Sequence, residues 1–284
     1  FNIDIKLLAK KLKEAKKKNK LPKIIIPVHF AGQPTLQDEI YKLSKKFKFK
    51  IIEDASHSLG ANYKKIKVGN CKWSDITVFS LHPVKIITSG EGGIATTNNK
   101  NIFYKLQMYK NHGITKNKKF FLKKNFPGWH YEQQFLGLNY RMNEISAALG
   151  ISQLYKLNSY VKDRNRIANY YKKKIDIDDL ALPKINSFCL STFHLFVVRI
   201  TSKNYKKIQV KLFTFLRKKK ILVNVHYIPI HLQPYYKSLG FKKGDFKNSE
   251  KHAESTLSLP IYPGLASQEL DYIIKQIKLF FRSQ

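Results

Sequence analysis

Apolar residues recur along this chain in two rhythms. KIIIPVHF (23–30) is a short run rich in β-branched residues; AGQPT follows, and then Leu36, Ile40, Leu43 and Phe47 return at helical spacing. That pattern predicts strand, loop and helix in succession. KIIED (50–54), DITVFS (75–80) and GGIATT (92–97) repeat the strand signal, and another helix is predicted over 102–109. Strands alternating with helices at this spacing predict a largely parallel or mixed sheet covered by helices. Sheets of that kind gather ligands at the carboxyl ends of their strands.

Residues 116–134 read as a polar and aromatic insertion. NYRMNEISAALGISQLYKL then predicts a loop entering a helix with Ile145, Ala148, Leu149 and Leu154 on its buried face, and a second helix is predicted over 161–171. The character changes after LALPK. FHLFVVRI (193–200) predicts a strand, 205–219 a helix, ILVNVHYIP (221–229) a strand, LSLPIYP a short extended piece, and 268–281 a last helix. The expected class is α/β, with residues 1–159 forming a large domain and 160–284 a smaller α+β one.

Composition narrows the classes. In 284 residues, 43% hydrophobic and 13% aromatic content is ample for a core. The longest uncharged stretch, 221–236, is broken by Asn224, His226, His231 and Gln233 and falls short of the roughly 20 apolar residues that span a bilayer. A soluble protein without a membrane partner is expected. Cys71 and Cys189 stand far apart with no C-x-x-C spacing, which points to a reducing compartment and hence to the cytoplasm. The formal charge of +34 invites a polyanion-binding reading. Only six of the 53 basic residues are Arg, however, and the lysines recur in dispersed runs such as 16–18, 172–174 and 218–220. Dispersed lysine suits solvated faces and salt-dependent adhesion, with no specific nucleic-acid partner.

Asp54, His57, Ser80 and Lys85 all lie at or just after predicted strand ends. Lys85 sits in SLHPVKIITSGEGG (80–93), behind a proline and before a glycine-rich turn. A carboxylate, a hydroxyl and a lysine at adjacent strand ends suit pyridoxal phosphate, which needs an amine for its aldehyde, an acid at its ring nitrogen and donors for its phosphate. Lys85 would supply the amine, Asp54 the acid, His57 a ring contact and Ser80 a phosphate donor. A metal is not expected at His226 and His231, because no carboxylate or third ligand lies near them at ligand spacing.

The segment IIEDASHSLGANYKKIKVGNCKWSDITVFSLHPVKIITSGEGGIATTN resembles the core of the sugar-nucleotide aminotransferases of the DegT/StrS type. The resemblance implies an aspartate-aminotransferase-like α/β fold (pyridoxal-phosphate-dependent fold type I). It makes 1–159 the C-terminal part of an incomplete mixed-sheet large domain and 160–284 the small domain. It implies that Lys85 is the Schiff-base and catalytic residue and that Asp54 holds the ring nitrogen. His57 and Ser80 become further cofactor residues, with Ser80 also meeting substrate. NYRM resembles the family segment whose asparagine, here Asn139, reaches the cofactor phosphate and substrate of the neighbouring subunit, so a homodimer with a shared site is expected. VNVHY resembles a nucleotide-sugar-binding segment, which points to Asn224, His226 and Tyr227, and more weakly to His231. The implied reaction is amination of the C4 ketone of a UDP-linked 4-keto-6-deoxy-HexNAc, with glutamate as donor. Some relatives are dehydratases with histidine at the lysine position. Here Lys85 occupies that position and His82 lies three residues earlier, which favours transamination. Residues 1–22 match neither the Gly-Thr phosphate turn nor the stacking aromatic of the family pattern. The expectation is therefore of a fragment, poorly soluble and inactive by itself.

Overall fold

The computed structural model describes residues 1–122 and 125–283. The chain divides into two compact units, one of residues 1–30 and 34–157, the other of 31–33 and the residues from Asn158 onward.

In the first unit, helix α1 (Ile5–Lys17) precedes strand β1 (Ile24–Ile25), helix α2 (Gln37–Phe47) and strand β2 (Lys50–Asp54). The Asp4 side chain caps α1 by accepting the Leu7 N–H at 2.9 Å. Helix α2 has Asp38 and Glu39 in its first turn and Lys45 and Lys46 in its last, matching the helix dipole at both ends. The hairpin β3 (Asn62–Tyr63) and β4 (Ile66–Lys67) turns on Lys64 and Lys65, both at positive φ. Strands β5 (Ile76–Ser80) and β6 (Gly93–Thr96) follow. The sheet order is β1-β2-β5-β6, parallel except for the antiparallel β6. Leu12, Ile40, Phe47, Phe49 and Ile51 form the core between the helices and one face of this sheet; Ala55, Ala61, Val68 and Phe79 form a second cluster.

The run 23–30 yields less strand than its residues suggest. Pro27 has no N–H to donate, and beyond it only Val28 pairs, as an isolated bridge to Asp54. After β6 come α3 (Lys100–Tyr109), the short pair β7 (Ile114–Thr115) and β8 (Glu132–Gln133), and α4 (Glu144–Leu154). Of the expected insertion 116–134, residues 123 and 124 lie outside the described residues. Helix α4 forms where expected, but the face assigned to its core is exposed: Ile145 is 87% and Leu149 40% accessible, and α4 buries no residue. Periodicity identifies an apolar stripe but not whether anything covers it.

The second unit opens with α5 (Leu157–Lys174). It continues through β9 (Leu180–Ala181), β10 (Cys189–Leu190), β11 (Phe196–Ile200) and α6 (Tyr205–Lys218), then α7 (Pro234–Ser238), α8 (Lys247–Ser255), β12 (Thr256–Leu259) and α9 (Ser267–Arg282). Strand β11 pairs antiparallel with both β12 and β9. Tyr171, Phe196, Leu212, Leu216, Leu257 and Ile277 fill the core between this sheet and helices α5, α6 and α9. The strand expected over 221–229 reduces to one bridge between Asn224 and Ser258, because the Asn224 side chain captures the Val225 N–H at 2.8 Å. Among the described residues no helix is long and apolar enough to cross a membrane.

Candidate active site

Parallel pairing places Asp54, the last residue of β2, beside Val78 of β5, so that Ser80 lies two residues further along the adjacent strand. Asp54 is fixed from three sides. Its N–H donates to Pro27 O and its carbonyl accepts the His29 N–H, both at 3.0 Å, while its Oδ1 accepts the Ser56 N–H at 3.0 Å. His57 follows in the same turn, buried, with its ring 5.9 Å from that of Phe30. Ser80 ends β5 opposite Gly93, and its Oγ accepts the His82 N–H at 3.3 Å.

Lys85 lies in the loop between β5 and β6. Partial burial pulls its ammonium below the ordinary value of 10.5, and the Asp54 carboxylate opposes that pull without cancelling it. The amine is therefore easier to deprotonate than an exposed lysine, and it lies within the field of Asp54. Buried Ile86 and Ile87 anchor the chain directly after it. Gly92, at φ +153°, accommodates a close approach: a Cβ there would lie 2.6 Å from both Ser89 Oγ and Met142 Cε. Met142 thus brings the NYRM segment against the glycine-rich turn, a contact with no signal in local sequence. Asn139 is exposed and forms an antiparallel bridge with Asn111, whose side chain accepts from Arg141.

The residues expected to bind the nucleotide sugar belong to the second unit. Asn224 is exposed, and its backbone pairs with Ser258. His226 Nδ1 lies 2.8 Å from Ser258 Oγ, and the His226 carbonyl accepts from His252 Nε2 at 3.0 Å. Tyr227 is half exposed, its ring 4.7 Å from that of His226. His231 is placed differently from that group. Its ring is buried, bonded to Glu250 Oε1 at 2.9 Å and edge-on to Phe246, and Glu250 also accepts the Gly244 N–H at 2.7 Å. The pair with His231 holds the Glu250 carboxyl below its ordinary 4.5. Sequence reasoning missed Ser258, Glu250 and His252, which lie 19 to 32 residues from the histidines they meet. Among the described residues no group of three His, Cys, Asp or Glu side chains could hold a metal ion.

The donor set of the first unit suits pyridoxal phosphate: an amine eased toward its neutral form, a carboxylate locked in place, a hydroxyl on the next strand and a buried imidazole beside them. Comparison with known proteins agrees. Residues 1–278 match the model of the DegT/DnrJ/EryC1/StrS aminotransferase family. The chain is 38% identical over 260 residues to an uncharacterized protein of Methanocaldococcus jannaschii, covering 90% of this chain and 66% of that one. It is 35% identical over 276 residues to the UDP-4-amino-4,6-dideoxy-N-acetyl-beta-L-altrosamine transaminase of Campylobacter jejuni, covering 96% and 68%. Among solved structures it matches Helicobacter pylori PseC, an aminotransferase involved in the biosynthesis of pseudoaminic acid, with TM-score 0.85 and 30% identity over 100% of this chain and 71% of that one. The chain thus spans about two thirds of the length of the curated relatives it matches. The expected aspartate-aminotransferase-like α/β fold agrees with that likeness. The chain belongs to the DegT/DnrJ/EryC1/StrS aminotransferase family.

Proposed function

We propose that this protein uses pyridoxal phosphate to transfer an amino group to the C4 ketone of a UDP-linked 4-keto-6-deoxy-HexNAc, giving UDP-4-amino-4,6-dideoxy-N-acetyl-β-L-altrosamine, with glutamate as donor. The observation that carries the proposal is the partly buried Lys85 in the field of the locked Asp54, within a chain of this family. The choice of sugar rests on the 35% identity to the Campylobacter jejuni transaminase.

When bound, the cofactor supplies an aldehyde for amine exchange and a protonated ring that withdraws electrons. Asp54 would hold the proton on the ring nitrogen; its Oδ1, already accepting the Ser56 N–H, keeps the carboxylate oriented. Lys85 Nζ would anchor the aldehyde carbon, and once displaced would take the proton from the α-carbon of glutamate. In the return half it would deliver a proton to C4 of the sugar as a positioned acid. Burial suits Lys85 to both tasks, because a base whose pKa is lowered toward neutrality exchanges protons readily. Ser80 would donate to the cofactor phosphate, and His57 would pack against the ring. Asn224, His226 and Tyr227 would meet the nucleotide sugar, with the Ser258 and His252 bonds fixing the His226 side chain and carbonyl. A second copy of the chain would contribute Asn139.

Reductive trapping with borohydride followed by peptide mapping tests the central assignment. The pyridoxyl mass is expected on Lys85, and its appearance on another lysine would overturn the reading. Lys85→Ala should lower turnover by several orders of magnitude, since it removes the anchor and the proton carrier together. The mass of the product formed from a defined UDP-4-keto sugar tests the substrate.

A further inference from the structure

The loop that carries Lys85 is closed at its neck. Leu81 N–H donates to Gly92 O at 2.9 Å, and Ser89 N–H donates to Leu81 O at 3.0 Å. The Thr88 side chain bridges this neck to the glycine-rich turn, and His82 Nε2 lies 3.8 Å from Glu91 Oε1 on the same turn. Thr88 Oγ1 donates to Leu81 O at 3.0 Å and accepts the Gly90 N–H at 2.9 Å. A hydroxyl has one proton and two lone pairs, so a single atom serves both contacts. Ser89 Oγ adds a bond to Glu91 O at 2.8 Å, which stiffens the turn but does not reach back to the neck.

We propose that Thr88 is a positioning residue for Lys85: its hydroxyl ties the end of β5 to the Gly90 turn and so fixes the short span on which the lysine stands. The inference rests on the reading of Lys85 as the cofactor amine. The geometry gives it content. The Lys85 N–H donates locally, to His82 O at 3.0 Å, and the place of the residue depends also on what pins the chain after it. Ile86 and Ile87 bury their side chains there, but apolar packing sets depth better than register along the loop. The Thr88 hydroxyl supplies directional bonds three residues beyond the amine.

Thr88→Val keeps the shape and removes both bonds. Leu81 O retains the Ser89 N–H, and Gly90 is only half-buried, so water can reach its N–H and the fold survives. Thr88→Ser keeps the hydroxyl and serves as the rescue. In the full chain without cofactor, the reactivity of Lys85 toward limiting acetic anhydride is measured across pH by peptide mapping, alongside exposed lysines and the thermal midpoint. Wild-type Lys85 should titrate below the exposed lysines. In Thr88→Val a loosened loop lets Lys85 into solvent, so its midpoint should rise; a half-unit rise would cut its free-amine fraction about threefold below the midpoint. Thr88→Ser should restore the wild-type profile.

A lowered thermal midpoint with an unchanged Lys85 profile would make Thr88 merely structural and overturn the proposal. A Lys85 profile indistinguishable from exposed lysines in the wild type would do the same. Borohydride trapping on the loaded protein reports separately. If Thr88 moves the Lys85 profile while the pyridoxyl mass lands elsewhere, the functional reading fails and the structural coupling stands.

Discussion

Glu53 and Asp54 are consecutive residues of β2 and point to opposite faces of the sheet, so one carboxylate serves the candidate site and the other is buried beneath it. Glu53 accepts from Gln37 Nε2 at 2.5 Å, Thr77 Oγ1 at 2.7 Å and Ser74 Oγ at 3.2 Å, with His29 Nε2 at 3.8 Å. His29 Nδ1 accepts the Thr35 N–H, which puts the ring proton on Nε2, toward Glu53. Burial pushes the Glu53 carboxyl up, but its interaction with His29 and the bonds from Thr77 and Gln37 outweigh it and hold the group below its ordinary 4.5. A depressed folded value means the carboxylate's contribution is fully present above the unfolded value and is lost as pH falls through the folded one. Glu53→Gln should therefore flatten the loss of stability on acidification below pH 4.5. At neutral pH it should cost about 1–3 kcal/mol, because an amide sets an N–H against donors already in place. Urea unfolding measured from pH 7 downward checks both, and an unchanged acid slope would assign the titration to another group. Asp54 was legible because it closes an apolar run before a loop. Glu53 was not, since nothing local marks a residue whose partners come from 29, 37, 74 and 77.

At the scale of elements, periodicity located α2, α5, α6 and α9 and the strands β2 and β5, whose buried and more exposed positions alternate, while short apolar runs located β6 and β11. Periodicity assigned α4 a buried face, yet no residue of that helix is buried. It also passed over α1, whose Ile5, Leu8 and Leu12 stripe is set among lysines, and the short helices α7 and α8. Arg164 on α5 shows a further kind of information that spacing lacks. Buried in the second unit, it donates through one guanidinium nitrogen to Phe193 O at 3.1 Å, His194 O at 3.4 Å and Ile261 O at 2.8 Å. Burial draws its pKa down to about 10, with Asp163 opposing. The side chain joins the helix to the chain before β11 and after β12, over 97 residues in the longest case. Arg164→Met keeps the length and removes the donors, so two or three carbonyls lose a charged partner, at about 3 kcal/mol or more in all. The urea midpoint should fall with an unchanged slope. A cost below about 1 kcal/mol would show that solvent satisfies those carbonyls equally well.

On the scale of the whole molecule the charge of +34 opposes self-association, and screening by salt should ease it. The proposed homodimer must therefore gain from apolar surface, and α4 presents Ile145, Leu149, Ile151 and Leu154 uncovered in the chain directly after the NYRM segment. That placement ties the sharing of the site to Asn139, exposed just before the same helix. If Asn139 completes the site of a neighbouring copy, Lys85→Ala and Asn139→Ala are defects in opposite halves of one site. A hybrid dimer then has one site with both defects and one with neither. Random exchange makes half the dimers hybrid, so mixing the two inactive variants should restore about a quarter of wild-type activity under a two-fold arrangement. A tag on one variant, with pull-down of the other, confirms exchange. Exchange without recovery would place Asn139 and Lys85 of the same chain in one site and remove the need for a partner there.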